Sequence, residues 1–112
     1  MSEPGWGRRA ARDRLGNSIY ITEERWKHIV LQRPWLDGHL DDVLDTLRLG
    51  KRKQDPLNQD KYKYYLPCDD LLPEHNHIVA VVLFRNKATA GGKQAPNNFV
   101  VTVWTVYIYP KR

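Results

Sequence analysis

Residue types that can break an RNA phosphodiester are present in this sequence: His28 in "ERWKHIVLQRPWL", Lys51, Arg52, Lys53 and Lys63 in and after "LRLGKRKQDP", and Thr102 and Thr105 in "NNFVVTVWT", with several tyrosines. RNA can be cut by its own 2′-hydroxyl, which attacks the adjacent phosphate once a base has taken its proton. A cation then stabilises the crowded phosphorane, and an acid protonates the departing 5′-oxygen. A histidine titrates in the right range to be that base or acid. The lysines and arginine could face the phosphate oxygens, and the hydroxyls could donate hydrogen bonds to them. The same stretch, "GKRKQDPLNQDKYKYY", continues with Lys53, Lys61 and Lys63, interleaved with Tyr62, Tyr64 and Tyr65. Cations that follow a backbone and rings that accept bases suit single-stranded RNA. Lysines also block aggregation on an edge strand, and tyrosines also pack sheets, so each residue has a structural reading of equal chemical sense.

These groups need elements to hold them. "ITEERWKHIVLQRP" reads as a helix, with Thr22 as its cap, Glu23 and Glu24 at its positive end and Pro34 as its stop. Trp26, Ile29 and Val30 form its apolar stripe. His28 lies about 100° from Ile29 around the axis, off that stripe. "DGHLDDVLDTLRLG" carries Leu40, Val43, Leu44 and Leu47 at helical spacing, ends at Gly50, and leaves its aspartates and His39 outside. The remainder reads as strands. Lys51–Gln54 and Lys61–Leu66 flank the turn "DPLNQD", and "HIVAVVLFR" and "NFVVTVWTVYIY" flank the loop "NKATAGGKQAPN". The two long strands are apolar on both parities, which predicts central, antiparallel neighbours with cover on both faces. Trp104 lies two residues beyond Thr102 and shares its strand face. The expected fold is α+β, two N-terminal helices on a four-stranded antiparallel sheet spanning residues 19–112 as one domain. Residues 1–18, with Arg8, Arg9, Arg12 and Arg14 and no apolar stripe, read as a flexible basic arm, either solvated or touching RNA.

The chain has 112 residues and a formal charge of +5, enough for one core and favouring an anionic partner. No apolar run is long enough to span a bilayer, and the first residues lack a hydrophobic signal core, so neither membrane nor export is expected. One cysteine, Cys68, fits a reducing cytoplasm. Cys68, Asp69 or Asp70, His75 and His77 cluster in sequence, but Cys-x6-His-x-His matches no common zinc spacing, so neither metal nor other cofactor is expected.

In their order along the chain, "ERWKHIVLQRPWL", "LRLGKRKQDP", "YKYY" and "NNFVVTVW" resemble the barnase–EndoU–colicin–RelE superfamily of small metal-independent ribonucleases, closest to its phage and cyanobacterial branches, over roughly residues 20–108. The resemblance implies a cleft in which His28 acts as general base or acid, Lys51 and Arg52 hold the phosphate, Lys53 or Lys63 assists, and Thr102 orients the reacting groups. It implies RNA contacts at Lys53, Lys61, Tyr62, Lys63 and Trp104, and a 2′,3′-cyclic phosphate product. A toxin-like enzyme of this kind would require an inhibitor or antitoxin protein. Relatives often carry Thr-Ala-Tyr where this chain has Thr102-Val103-Trp104; an indole stacks on bases but has no phenolic proton. Two other readings use the same fold: a non-catalytic module binding RNA or protein, and an interaction domain without any nucleic-acid role.

Overall fold

The computed structural model describes residues 5–109. Residues 1–4 of the expected arm, and 110–112 of the expected domain, lie outside the described residues. The elements are β1 (Arg8–Arg12), β2 (Ser18–Thr22), α1 (Glu23–Gln32), a 3-10 turn (Pro34–Leu36), α2 (Leu40–Leu49), β3 (Lys51–Gln54), β4 (Lys61–Pro67), β5 (His77–Leu83), β6 (Asn86–Ala88), β7 (Gln94–Pro96) and β8 (Asn98–Val106). Among the described residues, no helix is long and apolar enough to cross a membrane.

Among the described residues the fold is α+β with two α-helices, but the main sheet has six strands, in the order β1-β2-β8-β5-β4-β3, and β6 and β7 form a separate two-stranded hairpin. This corrects the expected four-stranded sheet and N-terminal helices, since two strands precede α1. In place of a flexible arm, Arg8–Arg12 is a strand paired antiparallel with β2. Its "RRAAR" buries Ala11 alone, so no alternation marks it in sequence. "SIYIT" does alternate, with Ile19 and Ile21 buried, but runs straight into the Thr22 cap of the next helix. β5 and β8 are antiparallel neighbours, as the apolar runs predicted, and β2 joins β8 in parallel.

The local signals around the helices explain their ends. Thr22 Oγ1 accepts the Arg25 N–H at 3.1 Å, and Arg33, with φ −133° and ψ 78°, has left the helical region before Pro34, which disfavours it there. At the end of α2, Gly50 is not left-handed; its φ is −68°. It is glycine because a Cβ there would lie 2.7 Å from the Tyr65 carbonyl oxygen and closer still to that of Thr46. The helix therefore passes into β3 with no loop between them.

One core forms from Trp26 and Ile29 of α1, Val43 and Leu47 of α2, Leu36, and the sheet residues Ile19, Ile21, Tyr64, Ile78, Ala80, Val82, Val100 and Val103. Both helices thus lie on one sheet face. The sheet curls round them far enough that Asp13, just beyond β1, accepts a 2.6 Å hydrogen bond from the hydroxyl of Tyr64 on β4. The opposite face carries no helix. Val79 and Val81 point to it and are still only 6% and 1% exposed. In register they sit beside Tyr65 and Trp104, and beside Lys63 and Thr102, side chains long or polar enough to shade them.

Candidate functional site

β2 pairs with β8 only at Ile19↔Asn98 and Tyr20↔Phe99, because the chain turns into α1 at Thr22. Beyond Phe99, that edge of β8 has no strand beside it among the described residues, and α1 runs alongside instead. A cleft of about 420 Å³ opens between them, lined by Thr22, Glu24, Arg25, His28, Ile29, Gln32, Val101 and Thr102. Glu24, His28 and Gln32 are successive i, i+4 positions of α1, so they form one ridge along the cleft. Ile29, on the neighbouring stripe, anchors the helix in the core and fixes the direction of that ridge. Opposite, the β5–β8 register shifts between Val81 and Val82, so that Val81 faces Thr102 while Val82 faces Val100. The extra residue, Val101, is a bulge of the kind that re-aims neighbouring side chains. His28 and Thr102, far apart in sequence, therefore line the same cavity.

The cleft adjoins the helix-free face. Register places Lys53, Lys63, Val81 and Thr102 in one row across β3, β4, β5 and β8, and Lys51, Tyr65, Val79 and Trp104 in the next. A third row holds Lys61, Leu83, Phe99 and Tyr20. Lys63 Nζ sits 5.6 Å from the centroid of the Trp104 ring, and the Arg8 guanidinium 4.5 Å from that of Tyr20. Tyr20 and Phe99 are themselves neighbours, with centroids 6.0 Å apart. The face is therefore a field of cations and half-buried rings over a valine floor.

The structure divides the expected site residues into two sets. His28 and Thr102 share the cleft, and Lys63 and Trp104 lie on the adjoining face. Lys51, Lys53 and Lys61 share that face, but β3 is three strands from β8, about 14 Å at the usual strand spacing. Arg52 and Tyr62 point the other way. Arg52 stacks on the Tyr62 ring at 4.2 Å, and Tyr62 meets Phe84 edge to face at 5.0 Å. Strand alternation is the reason: Lys51 and Arg52 are adjacent, so one must face away from the other. Tyr64 is in the core, and Tyr65 alone of the three tyrosines joins the open face.

In the sequence Glu24 reads only as a first-turn acid, and Arg25 and Gln32 are not singled out, although their spacing from His28 by three or four residues on a helix is the signal that would have found all three. Arg25 supplies a cation in the cleft itself, where Lys51 and Arg52 do not reach. Tyr20 is hidden by the unrecognised β1–β2 hairpin, Arg8 reads as part of an arm, and Phe99 reads as a strand residue without a role.

The sequence cluster around Cys68 does not assemble. His75 Nδ1 is 2.5 Å from Thr105 Oγ1, and His77 Nδ1 is 2.7 Å from Asn76 Oδ1. Burial lowers the pKa of His77. Cys68 instead meets His39 and Asp42, with one ligand atom from each lying within 4.8 Å of the others. No protein-family model matches this chain, and neither the curated proteins nor the solved structures hold a match to it.

Proposed function

We propose that this protein is RNA-directed, holding a single strand across the helix-free sheet face and cutting it in the cleft between α1 and β8. The observation that supports this most is the row Lys53–Lys63–Val81–Thr102, which leads from the basic hairpin to a cavity lined by His28 and Arg25. In the reaction, His28 takes the 2′-OH proton as the 2′-oxygen bonds to phosphorus. Arg25 and the Thr102 hydroxyl steady the phosphorane oxygens. The bond from phosphorus to the 5′-oxygen breaks, a solvent water gives that oxygen its proton, and the His28 imidazolium returns its own to solvent. The products are a 2′,3′-cyclic phosphate and a 5′-hydroxyl. Lys53 and Lys63 hold flanking phosphates, and Trp104 stacks on a base. A toxin-like ribonuclease acting in a reducing cytoplasm, restrained there by an inhibitor protein, is the setting that fits such an enzyme.

The second reading is a binding module on the same surface that leaves RNA intact. It is favoured by the distance of Lys51 and the opposite facing of Arg52, and by Trp104, which has no proton to give. One experiment separates the two. The purified chain is mixed in EDTA with an end-labelled single-stranded RNA and with its DNA counterpart. The enzyme should cut only the RNA, since DNA lacks the nucleophile, and His28→Ala should slow cutting by about 10²–10⁴ while sparing most of the binding. Binding without cutting leaves the module. Binding unaffected when Lys53 and Lys63 become glutamine, with an unchanged salt slope, overturns both, because each lost phosphate contact should flatten the log–log slope by about 0.7.

A further inference from the structure

On the helix side of the sheet, away from the basic rows, the chain brings together three residues that no sequence spacing connects. His39 is the N-cap of α2, Asp42 sits in its first turn, and Cys68 directly follows β4. His39 Nδ1 is 2.9 Å from Asp42 Oδ2. A ring nitrogen of His39, a carboxylate oxygen of Asp42 and the Cys68 sulfur all lie within 4.8 Å of one another. They open into a cavity of about 360 Å³ whose wall also carries Asp45, Asp69 and Asp70.

We propose that His39, Asp42 and Cys68 form a binding site for a borderline-soft divalent cation of the Zn²⁺ type. One imidazole, one carboxylate and one thiolate are a zinc donor set. Hard cations such as Mg²⁺ and Ca²⁺ prefer oxygen alone. Bond lengths of about 2.0–2.3 Å around a tetrahedral ion imply ligand separations of roughly 3.3–3.8 Å. The Cys68 sulfur must move in by up to about 1.2 Å, and His39 Nδ1 and Asp42 Oδ2, now 2.9 Å apart, must open by about 0.5 Å, shifts within the reach of side-chain rotation. Asp69 and Asp70 line the same cavity but lie outside the cluster of ligand atoms, so a water would take the fourth place. The negative charge of the wall favours a cation over any anionic occupant. Bound there, the ion would tie the start of α2 to the end of β4, and none of its ligands lines the cleft between α1 and β8.

The test uses the full chain without an affinity tag, stripped with chelator and then titrated with Co²⁺ and, separately, with Zn²⁺. Co²⁺ should bind at one equivalent with a near-ultraviolet thiolate-to-cobalt charge-transfer band, and Zn²⁺ should displace it and raise the melting temperature. Cys68→Ser should abolish the band, and His39→Ala should weaken binding by more than about tenfold. Both positions are at the cavity rim, and melting in EDTA reports whether each variant still folds. His75→Ala and His77→Ala should bind as the wild type does. Absence of the band in the folded wild type overturns the proposal, as does loss of binding in His75→Ala with retention in His39→Ala.

Discussion

Asp13 ties the β1–β2 hairpin to the far side of the sheet, and its removal should show how much that tie contributes. The residue is 7% exposed and its carboxylate accepts four hydrogen bonds: Leu15 N–H at 3.0 Å, Asn17 N–H at 2.8 Å, Asn17 Nδ2 at 3.0 Å and Tyr64 Oη at 2.6 Å. Tyr64→Phe removes one charge-assisted bond, a loss of about 1.5–3 kcal/mol. Asp13→Ala removes all four and strands the Tyr64 hydroxyl in a site 1% exposed, at a further cost of about 1–3 kcal/mol. About 3 kcal/mol is a fair expectation for Asp13→Ala, or about 15 °C in melting temperature for a domain of this size. In the Asp13→Ala background, Tyr64→Phe should cost almost nothing, since it removes a hydroxyl already without its acceptor. Urea unfolding of the four proteins of this double-mutant cycle measures the coupling. The dependence on pH follows from the same contacts. Burial alone would raise the Asp13 pKa, but the bonds from Tyr64, Asn17 and Leu15 outweigh it and hold it below the ordinary 3.8. A depressed carboxylate stabilises the fold above its unfolded pKa and ceases to do so as pH falls through the folded value. Wild type should therefore lose stability below about pH 4 more steeply than Asp13→Asn. Single-mutant effects that add to within about 0.5 kcal/mol would refute the tie.

Three further outcomes can be checked directly. Leu47→Ala empties a fully buried position between α2 and the sheet and should cost about 2–5 kcal/mol in urea unfolding, while a loss under 1 kcal/mol would mean the helix is not anchored there. Gly50→Ala forces a Cβ against the Thr46 and Tyr65 carbonyls, and the displaced joint should cost about 1–3 kcal/mol by the same assay; a neutral result would mean the joint is loose. Burial, with the charges of Asp42, Asp69 and Asp70, pushes the Cys68 thiol up to about 11. In chelator at pH 8, its alkylation by iodoacetamide should run about two orders of magnitude slower than that of free cysteine, and an equal rate would contradict that environment.

The parts of the fold legible in sequence were those fixed by neighbouring residues. Thr22, the two glutamates and Pro34 bound α1 through contacts within a few residues, and the valine runs of β5 and β8 mark central strands whatever lies beside them. The order of strands was not legible, because β2 meets β8 through only two residue pairs and "RRAAR" carries no apolar alternation. Val79 and Val81 are buried as their apolar parity predicted, on a face where no helix lies among the described residues. For the candidate site, His28 and Thr102 could be named from residue type and position. Lys51 and Arg52 could not both serve one phosphate, and strand alternation already implied as much. Arg25 needed the helix and the β8 edge to be placed together before its role became visible.

The position of β8 bears on how the molecule forms. It is the final strand in chain order, yet it lies in the middle of the sheet, between β2 and β5. Asn98 Nδ2 reaches back 80 residues to donate to the Ser18 carbonyl. Pairings so distant in sequence slow folding, because the intervening chain must be ordered before they are gained. As the chain leaves the ribosome, β1 and β2 can pair only with each other, and an isolated two-stranded hairpin is marginal in water. The helices likewise wait for Val100 and Val103 to complete their core. Thr102, Trp104 and Phe99 all arrive on that strand, so the surface proposed to meet RNA does not exist on a nascent chain. It is assembled in the same step that completes the fold.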